Sequence, residues 1–426
     1  MHDVTTRTTA TRNMNVVLIM VCIYIFLFIE RPWESIRYLH DIPIERPYAI
    51  LLIIVAFLHH KLKIVSSPTN KWVYGLLALH FLLAPFAFNP SFAVEQGIEY
   101  AKMVVLYLLM LSVADDEESL KLLIKVYVFS MLFYMIHSLW EFNNGRYVWR
   151  MGIVRMVGVG ETMSDPNAFG ASVVLSLPFA YALFCAEVMP SIRKLYYFYF
   201  ALAVLCIVLT GSRSAFVALV CLIFLWVIAQ QGSRRIKVLV AAIVSLGVLW
   251  ISMPTEKQDR IRTLWDEEAG PENAHVSAEG RLIGWKVSWK MFKREPFTGV
   301  GVGGKNFVGY RLANQVDSEG EEAALQSHIL YGQVLAEQGL FGAVLFVGLV
   351  VSIGRSAFVR RVQIIQCGEG ISFIYLLCGA ILISLLLLLI LGFAGHNFYR
   401  PLWLWLAAWS GNVYSRSLKS VIFCNC

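Results

Sequence analysis

The chain has 426 residues, with 36 Lys and Arg against 29 Asp and Glu, giving a formal net charge of +7. Charged residues make up 15%, apolar residues 58%, and the mean hydropathy is +0.63, whereas a soluble domain carries about 25% charged and about 45–50% apolar residues. These values exclude a disordered chain and an ordinary cytosolic enzyme. Eight Cys in 426 residues are too sparse for a small disulfide scaffold, and what remains is a polytopic membrane protein.

Twelve stretches lack Asp, Glu, Lys and Arg: 13–29, 47–60, 72–94, 103–114, 126–140, 166–186, 195–212, 214–233, 238–255, 338–354, 370–399 and 401–415. A helix needs about 20 apolar residues to cross the hydrocarbon, and the shorter stretches must borrow flanking residues whose Lys and Arg snorkel. Lipid offers no partner to backbone groups, so only helices or a closed barrel can span it. Runs of this length without strict alternation predict helices. The expected fold is therefore all-α, a bundle of about twelve transmembrane helices. Spans 1–9 lie in 1–252, a long outer loop in 253–327, and spans 10–12 with an inner tail in 328–426.

Lys and Arg in short loops set orientation. With the N-terminus inside, the inner loops hold Lys61, Lys63 and Lys71; Lys121 and Lys125; Arg193 and Lys194; Arg234, Arg235 and Lys237; and Arg355, Arg360 and Arg361, and the tail adds Arg416 and Lys419. The acidic run Asp115–Glu118 reads as a solvated inner turn, since acidic residues are weak topology signals. The first 13 residues, with Arg7 and Arg12, lead into span 1 as an uncleaved signal-anchor. No Cys falls in a predicted outer loop, so no disulfide is expected, and Cys424-Asn-Cys426 is too thin for a metal site.

Against this pattern, several basic residues fall outside. Arg213 stands in Gly211-Ser-Arg-Ser-Ala-Phe216, a short turn between apolar runs. An Arg near a membrane-helix centre costs about 3 kcal/mol on insertion scales, less near its end. Arg213 either snorkels to headgroups or faces an internal cavity where it meets an anion; its small neighbours would let a ligand approach the backbone. The outer loop 141–165 carries Arg146, Arg150, Arg155 and Asp165-Pro166-Asn167. In 281–294, Leu282, Trp285, Trp289 and Phe292 share one helical face, and Lys286, Lys290 and Lys293 share another. This is an amphipathic helix, lying on the membrane surface or packing as an ordinary helix.

Gly299-Val-Gly-Val-Gly-Gly304 matches G-x-G-x-x-G, and with Lys305 it nearly matches a P-loop, but Asn306 stands where Ser or Thr must hold Mg²⁺. No βαβ unit surrounds it, so nucleotide binding is set aside in favour of a tight turn or a backbone anion nest. D-x-D, H-E-x-x-H, paired-Cys and G-x-S-x-G motifs do not occur, so neither a catalytic metal nor a hydrolase elbow is supported. His59, His60 and His396 read as interfacial. His328 opens Ser327–Gly342 where the long loop re-enters the membrane, either as a proton-transfer group or as a buried hydrogen-bonded residue.

Three pieces coincide in order: GSRSAF at 211–216, GR-x3-W followed by PFTGVGVGG at 280–304, and SHILYGQVLAEQGLFG at 327–342. Together with a long outer loop and the Asp165-Pro-Asn motif, they resemble the O-antigen ligase/polymerase family of bacterial membrane glycosyltransferases. The family often has His-Asn where this chain has His328-Ile329. The resemblance implies a GT-C-like, metal-independent, inverting transfer with no cofactor. It runs at the periplasmic face of the inner membrane, so the 253–327 loop is periplasmic. The implied donor is a glycan on undecaprenyl diphosphate, and the acceptor is the lipid A core or another glycan acceptor, as in lipopolysaccharide biosynthesis. Membrane lipids are implied partners and nucleic acid is not.

The leaving diphosphate needs charge stabilisation rather than a proton, and two guanidiniums can supply it bidentately. On this reading Arg213 and Arg281 bind the diphosphate. His328 takes or orients the acceptor's proton, and Lys286 and Lys290, with Lys293, draw anionic lipid to the site. A polymerase of the same family would use the same residues. A lipid-linked sugar transporter would favour midplane charges and inverted repeats, and no clear repeat is seen here.

Overall fold

The computed structural model describes residues 15–36, 38–39, 42–150, 152–160, 164–266, 273–316, 326–368 and 370–424, with 273–278 and 416–424 described by backbone alone. Arg7, Arg12 and Cys426 lie outside the described residues, as do the side chains of Arg416, Lys419 and Cys424.

Among the described residues the fold is all-α apart from one small hairpin. In chain order the helices are α1 (Val16–Glu30), α2 (Glu45–Leu58), α3 (Asn70–Leu82), α4 (Pro90–Val113), α5 (Glu117–Asn143), α6 (Pro166–Ala186), α7 (Pro190–Thr210), α8 (Arg213–Ile228), α9 (Gly232–Ser252), α10 (Thr255–Arg262), α11 (Asn273–Arg294), α12 (Gly304–Ala313), α13 (Leu330–Gln366), α14 (Phe373–Gly392) and α15 (Leu402–Cys424). Strands β1 (Tyr147–Arg150) and β2 (Ile153–Met156) pair antiparallel between α5 and α6, with Val148 opposite Arg155.

Each of the twelve charge-free stretches overlaps a helix. Among the described residues, eight helical stretches have the length and hydropathy to cross a membrane: those at α1, α4, α5, α6, α7, α9, α13 and α14, with α8 a shorter apolar helix. Part of the difference from twelve is length. The 14 residues of α2 and the 13 of α3 rise only about 20 Å against a hydrocarbon core of about 30 Å.

The centre is built by α6, α13, α14 and α15, with α4, α5 and α7 around them. Helices in lipid associate by packing rather than by a hydrophobic driving force, and here aromatic rings supply much of the contact. Phe179 and Trp409 lie 4.8 Å apart, and Tyr127 is 5.6 Å from both Phe179 and Trp405. By contrast, α9 packs against α8 and buries none of its residues.

Alternate connections gather at the two ends of the bundle. At one end the α3–α4 turn meets the chain before α12, with Phe88 N donating to Val300 O. The β-hairpin, the α7–α8 turn, α10, α11 and the α14–α15 connection share this end. At the other end Lys61 pairs with Asp115. The acidic run there is not a bare solvated turn. Asp116 caps α5, its carboxylate accepting from Ser119 N at 2.8 Å, and Glu117 and Glu118 occupy the first turn, where the helix dipole favours negative charge.

Candidate active site

The site begins with the α7–α8 turn. Gly211 closes α7 in the left-handed region, φ 56°, where a residue without Cβ carries no steric penalty. Ser212 caps α8, accepting from Ala215 N at 3.4 Å and donating to Asn167 Oδ1 at 2.9 Å. The turn thus delivers Arg213 as the first residue of α8, buried, with Nη1 donating to Thr263 Oγ1 at 2.8 Å.

The last carbonyls of a helix lack intrahelical partners and carry the negative end of its dipole. At the end of α7 three cations meet them. Arg155 Nε donates to Thr210 O at 2.8 Å, Lys257 Nζ to Leu209 O at 2.9 Å and Arg260 Nε to Gly211 O at 2.7 Å. Arg155 also reaches Asn167 Oδ1 at 2.9 Å, and Lys257 reaches Val154 O at 2.9 Å. Hairpin, turn and α10 are therefore stitched into one platform beneath Arg213.

Arg281 and His328 arrive from the other side. α11 packs on α13 through Val287 and Met291. At Gly284 the helix presses on the chain before α13, since a Cβ there would stand 2.3 Å from Ser327 O. Ser288 Oγ donates to Ser327 Oγ at 2.9 Å, and Ser327 Oγ donates to Ile329 O at 3.1 Å. His328 lies between these anchors with φ 50°, a rare backbone for a residue with a side chain. Arg281 sits one turn ahead of Gly284 on α11.

These residues feel one another. Burial lowers the pKa of Arg281, and the Arg213 guanidinium lowers it further. Burial also lowers His328, followed by Arg281 and Arg150, while Asp165 pulls the other way. Arg260 is pushed down to about 9 by burial and by Arg155, Arg213, Arg281 and Arg150. Arg155 falls to about 10 and Lys257 to about 8, in each case chiefly through burial. Arg213, Arg281 and His328, from three separate motifs, thus share one electrostatic neighbourhood.

The neighbourhood is layered. Arg155, Arg213, Lys257 and Arg260 are buried, Arg281, His328 and Arg400 are half-buried, and Arg150, Asp165 and His396 reach the surface. The rings of His328 and His396 lie 5.1 Å apart. Asp165 caps α6 through Asn167 N and Ala168 N, and its other oxygen lies 3.9 Å from Arg150 Nη1.

Sequence reasoning passed over several of these groups. His396, read as interfacial, also lies beside His328. Lys257, Arg260 and Arg400 were not singled out. The signal that could have found them was the one noticed for Arg213, cations on connections at the end where loops should be poor in them.

Lys286 and Lys290 are exposed on α11, and Lys290 Nζ donates to Val316 O at 3.4 Å. The helix combines both readings of its pattern. Val287 and Met291 are buried against α13 and α12, whereas Leu282, Trp285 and Trp289 face outward, the two indoles stacked at 6.3 Å.

The glycine run is a strap, not an anion nest. α13 breaks at Gly339, and the chain at 296–301 satisfies the groups the break frees: Val300 N donates to Ala336 O at 2.8 Å, Gly301 N to Glu337 O at 3.2 Å, and Leu340 N to Pro296 O at 2.8 Å. Gly303 N donates to Glu337 Oε2 at 2.9 Å, and Tyr399 OH donates to the same oxygen at 2.5 Å. Lys305 pairs with Glu95, and Asn306 Oδ1 accepts from Asn89 N at 2.8 Å.

A helical bundle with eight helical stretches able to cross a membrane among the described residues defines a class, an integral membrane protein, here with Arg and His side chains gathered at one end. Residues 198–347 match the protein family described as O-Antigen ligase. The match covers about a third of the chain and contains Arg213, Arg281 and His328, while Arg150, Arg155, Asp165, His396 and Arg400 lie outside the matched residues. Comparison with curated proteins gives no match.

Proposed function

We propose that this protein is a glycosyltransferase of the O-antigen ligase type. It moves a glycan from undecaprenyl diphosphate to a hydroxyl of the lipid A core or a similar acceptor, at the periplasmic face of the inner membrane. The observation that carries this reading is that Arg213 acts electrostatically on Arg281, and Arg281 on His328, although the three come from motifs far apart in the chain, all within the O-Antigen ligase match.

Like charges held together by burial raise each other's energy, and a polyanionic ligand relieves that repulsion. Arg213 and Arg281 bind the diphosphate, each fork matching two phosphate oxygens and staying charged as the C1–O bond breaks. His328, whose pKa is lowered, stays neutral and takes the acceptor's proton as its oxygen attacks C1. The electron pair of the broken bond leaves on the diphosphate. The platform of Arg155, Lys257 and Arg260 holds the Arg213 turn, while Lys286 and Lys290 attract anionic headgroups beside α11, whose outward Trp side chains suit the interface.

The test is reconstitution of the purified protein with a glycan on undecaprenyl diphosphate. Release of undecaprenyl diphosphate with transfer to lipid A core supports the ligase. A lengthening ladder on the lipid carrier makes it a polymerase of the same family. Movement of intact donor across liposomes without release overturns the transferase reading.

A further inference from the structure

The transferase reading leaves a proton to dispose of. Once His328 accepts it, the resulting imidazolium faces Arg281 on α11 and Arg150 on β1, with Asp165 as a counter-charge. His328 is itself half-buried. A base in that position turns over only if the proton leaves it quickly. Among the neighbours that reach the surface, His396 is the imidazole whose ring lies against it.

We propose that His396 is a proton relay, taking the acceptor-derived proton from His328 and passing it to solvent. This rests on the transferase reading above. The rings lie 5.1 Å apart, inclined at 58°. With a nitrogen of each ring turned toward the other, that spacing leaves about the 2.9 Å of an N–H···N bond. His396 as a residue reaches the surface. An imidazole can accept on one nitrogen while releasing from the other and need not store a full charge. That matters here, because burial of the ring, together with His328 and Arg400, lowers the His396 pKa to about 4, with Asp165 opposing them.

The loop that carries His396 is braced. Asn397 and Phe398 are both buried; Asn397 Nδ2 donates to Leu388 O at 3.1 Å, and Phe398 N donates to Gln333 Oε1 at 3.3 Å on α13. Trp403 Nε1 donates to Asn397 O at 3.0 Å. An exposed residue next to two anchored ones is held in place without being enclosed, as a relay requires. The balance is simple: the acceptor O–H loses its proton to His328, oxygen bonds to C1, the C1–phosphate oxygen bond breaks, and the proton exits through His396 to water.

The experiment uses purified full-length His396→Ala, His396→Gln, His328→Gln and Arg213→Ala proteins. kcat and donor KM are measured across pH 5–9, with and without added imidazole. The expected result is a fall in kcat of about tenfold to a hundredfold for both His396 variants, with donor KM unchanged and partial rescue of His396→Ala by imidazole. Wild-type kcat and pH profile in both His396 variants, with His328→Gln and Arg213→Ala inactive, would discard the relay and leave the site reading intact. A loss in His396→Gln that imidazole does not restore in His396→Ala, together with a raised KM, would reassign His396 to a structural role. Full activity in His328→Gln and Arg213→Ala would remove the site reading itself.

Discussion

The two ends of the bundle use the same charged residue types in opposite ways. At the inner end of the expected topology, charges are settled locally. Lys61 meets Asp115, Asp116 caps α5, Lys121 lies over the Phe373 ring and Arg361 over Tyr375. A recess of about 580 Å³ there is lined by cations and anions alike, among them Lys61, Asp115, Glu118 and Lys125. At the other end, Arg155, Lys257 and Arg260 are held by backbone carbonyls, and Arg213, Arg260 and Arg281 act on one another. Locally neutralised charge serves topology and helix ends, whereas mutually repelling cations fixed by carbonyls make a standing electrostatic demand. The contrast marks a candidate site where a count of charges would not.

Substitutions at the two ends should separate sharply. Arg213→Ala and Arg281→Ala should each lower glycan transfer by at least about 10²–10³, the scale of losing one preorganised donor to a developing anion, with protein still in the membrane. Arg→Lys should also be poor, because an ammonium does not reproduce the fork. Membrane fractionation beside an in vitro transfer assay measures both, and wild-type rates in the Ala variants would erase the contrast between the ends.

Next in size is pH. Because the His328 pKa is lowered from the ordinary 6.5, the neutral base persists to lower pH. Activity should therefore hold as pH falls through 6.5 and fade only below it. An acid limb above 6.5 in the kcat profile would show that His328 is not the group being titrated.

A smaller effect tests the strap. Glu337→Ala withdraws the acceptor of Gly303 N and Tyr399 OH and should cost about 1–3 kcal/mol, seen as a lower thermal midpoint in detergent. An unchanged midpoint would mean that the backbone bonds at 296–301 suffice. Smallest of all, Lys61→Ala should cost about 0–1 kcal/mol, as for an exposed pair, and leave transfer unchanged. A loss there comparable to that of Arg213→Ala would collapse the distinction between the ends.

Much of this was legible in the residues. Apolar runs announce helices because lipid leaves the backbone no other way to bond. The GSRSAF, GR and SH motifs carried Arg213, Arg281 and His328 individually. The partners of these residues were harder to see. Arg155, Lys257 and Arg260 cap α7 from a hairpin and from α10, and nothing local in their sequence points to Leu209, Thr210 or Gly211. The glycine run reads as a tight turn or a backbone anion nest because composition cannot tell amides aimed at an anion from amides bonded to a broken helix. The acidic run at 115–118 looked like a turn because a cap is recognisable only once the helix start is known.

By itself, the amino-acid order determined the helical membrane class and offered Arg213, Arg281 and His328 as candidate site residues. Hydrophobic length and side-chain chemistry are properties of local stretches, and lipid acts on them directly. The tertiary structure alone decided which of those side chains meet. Bringing Arg213 within electrostatic reach of Arg281, and His328 beside His396, depends on helices packing across some 68 residues in each case and on carbonyls and carboxylates that pin each turn, and no local stretch encodes those contacts.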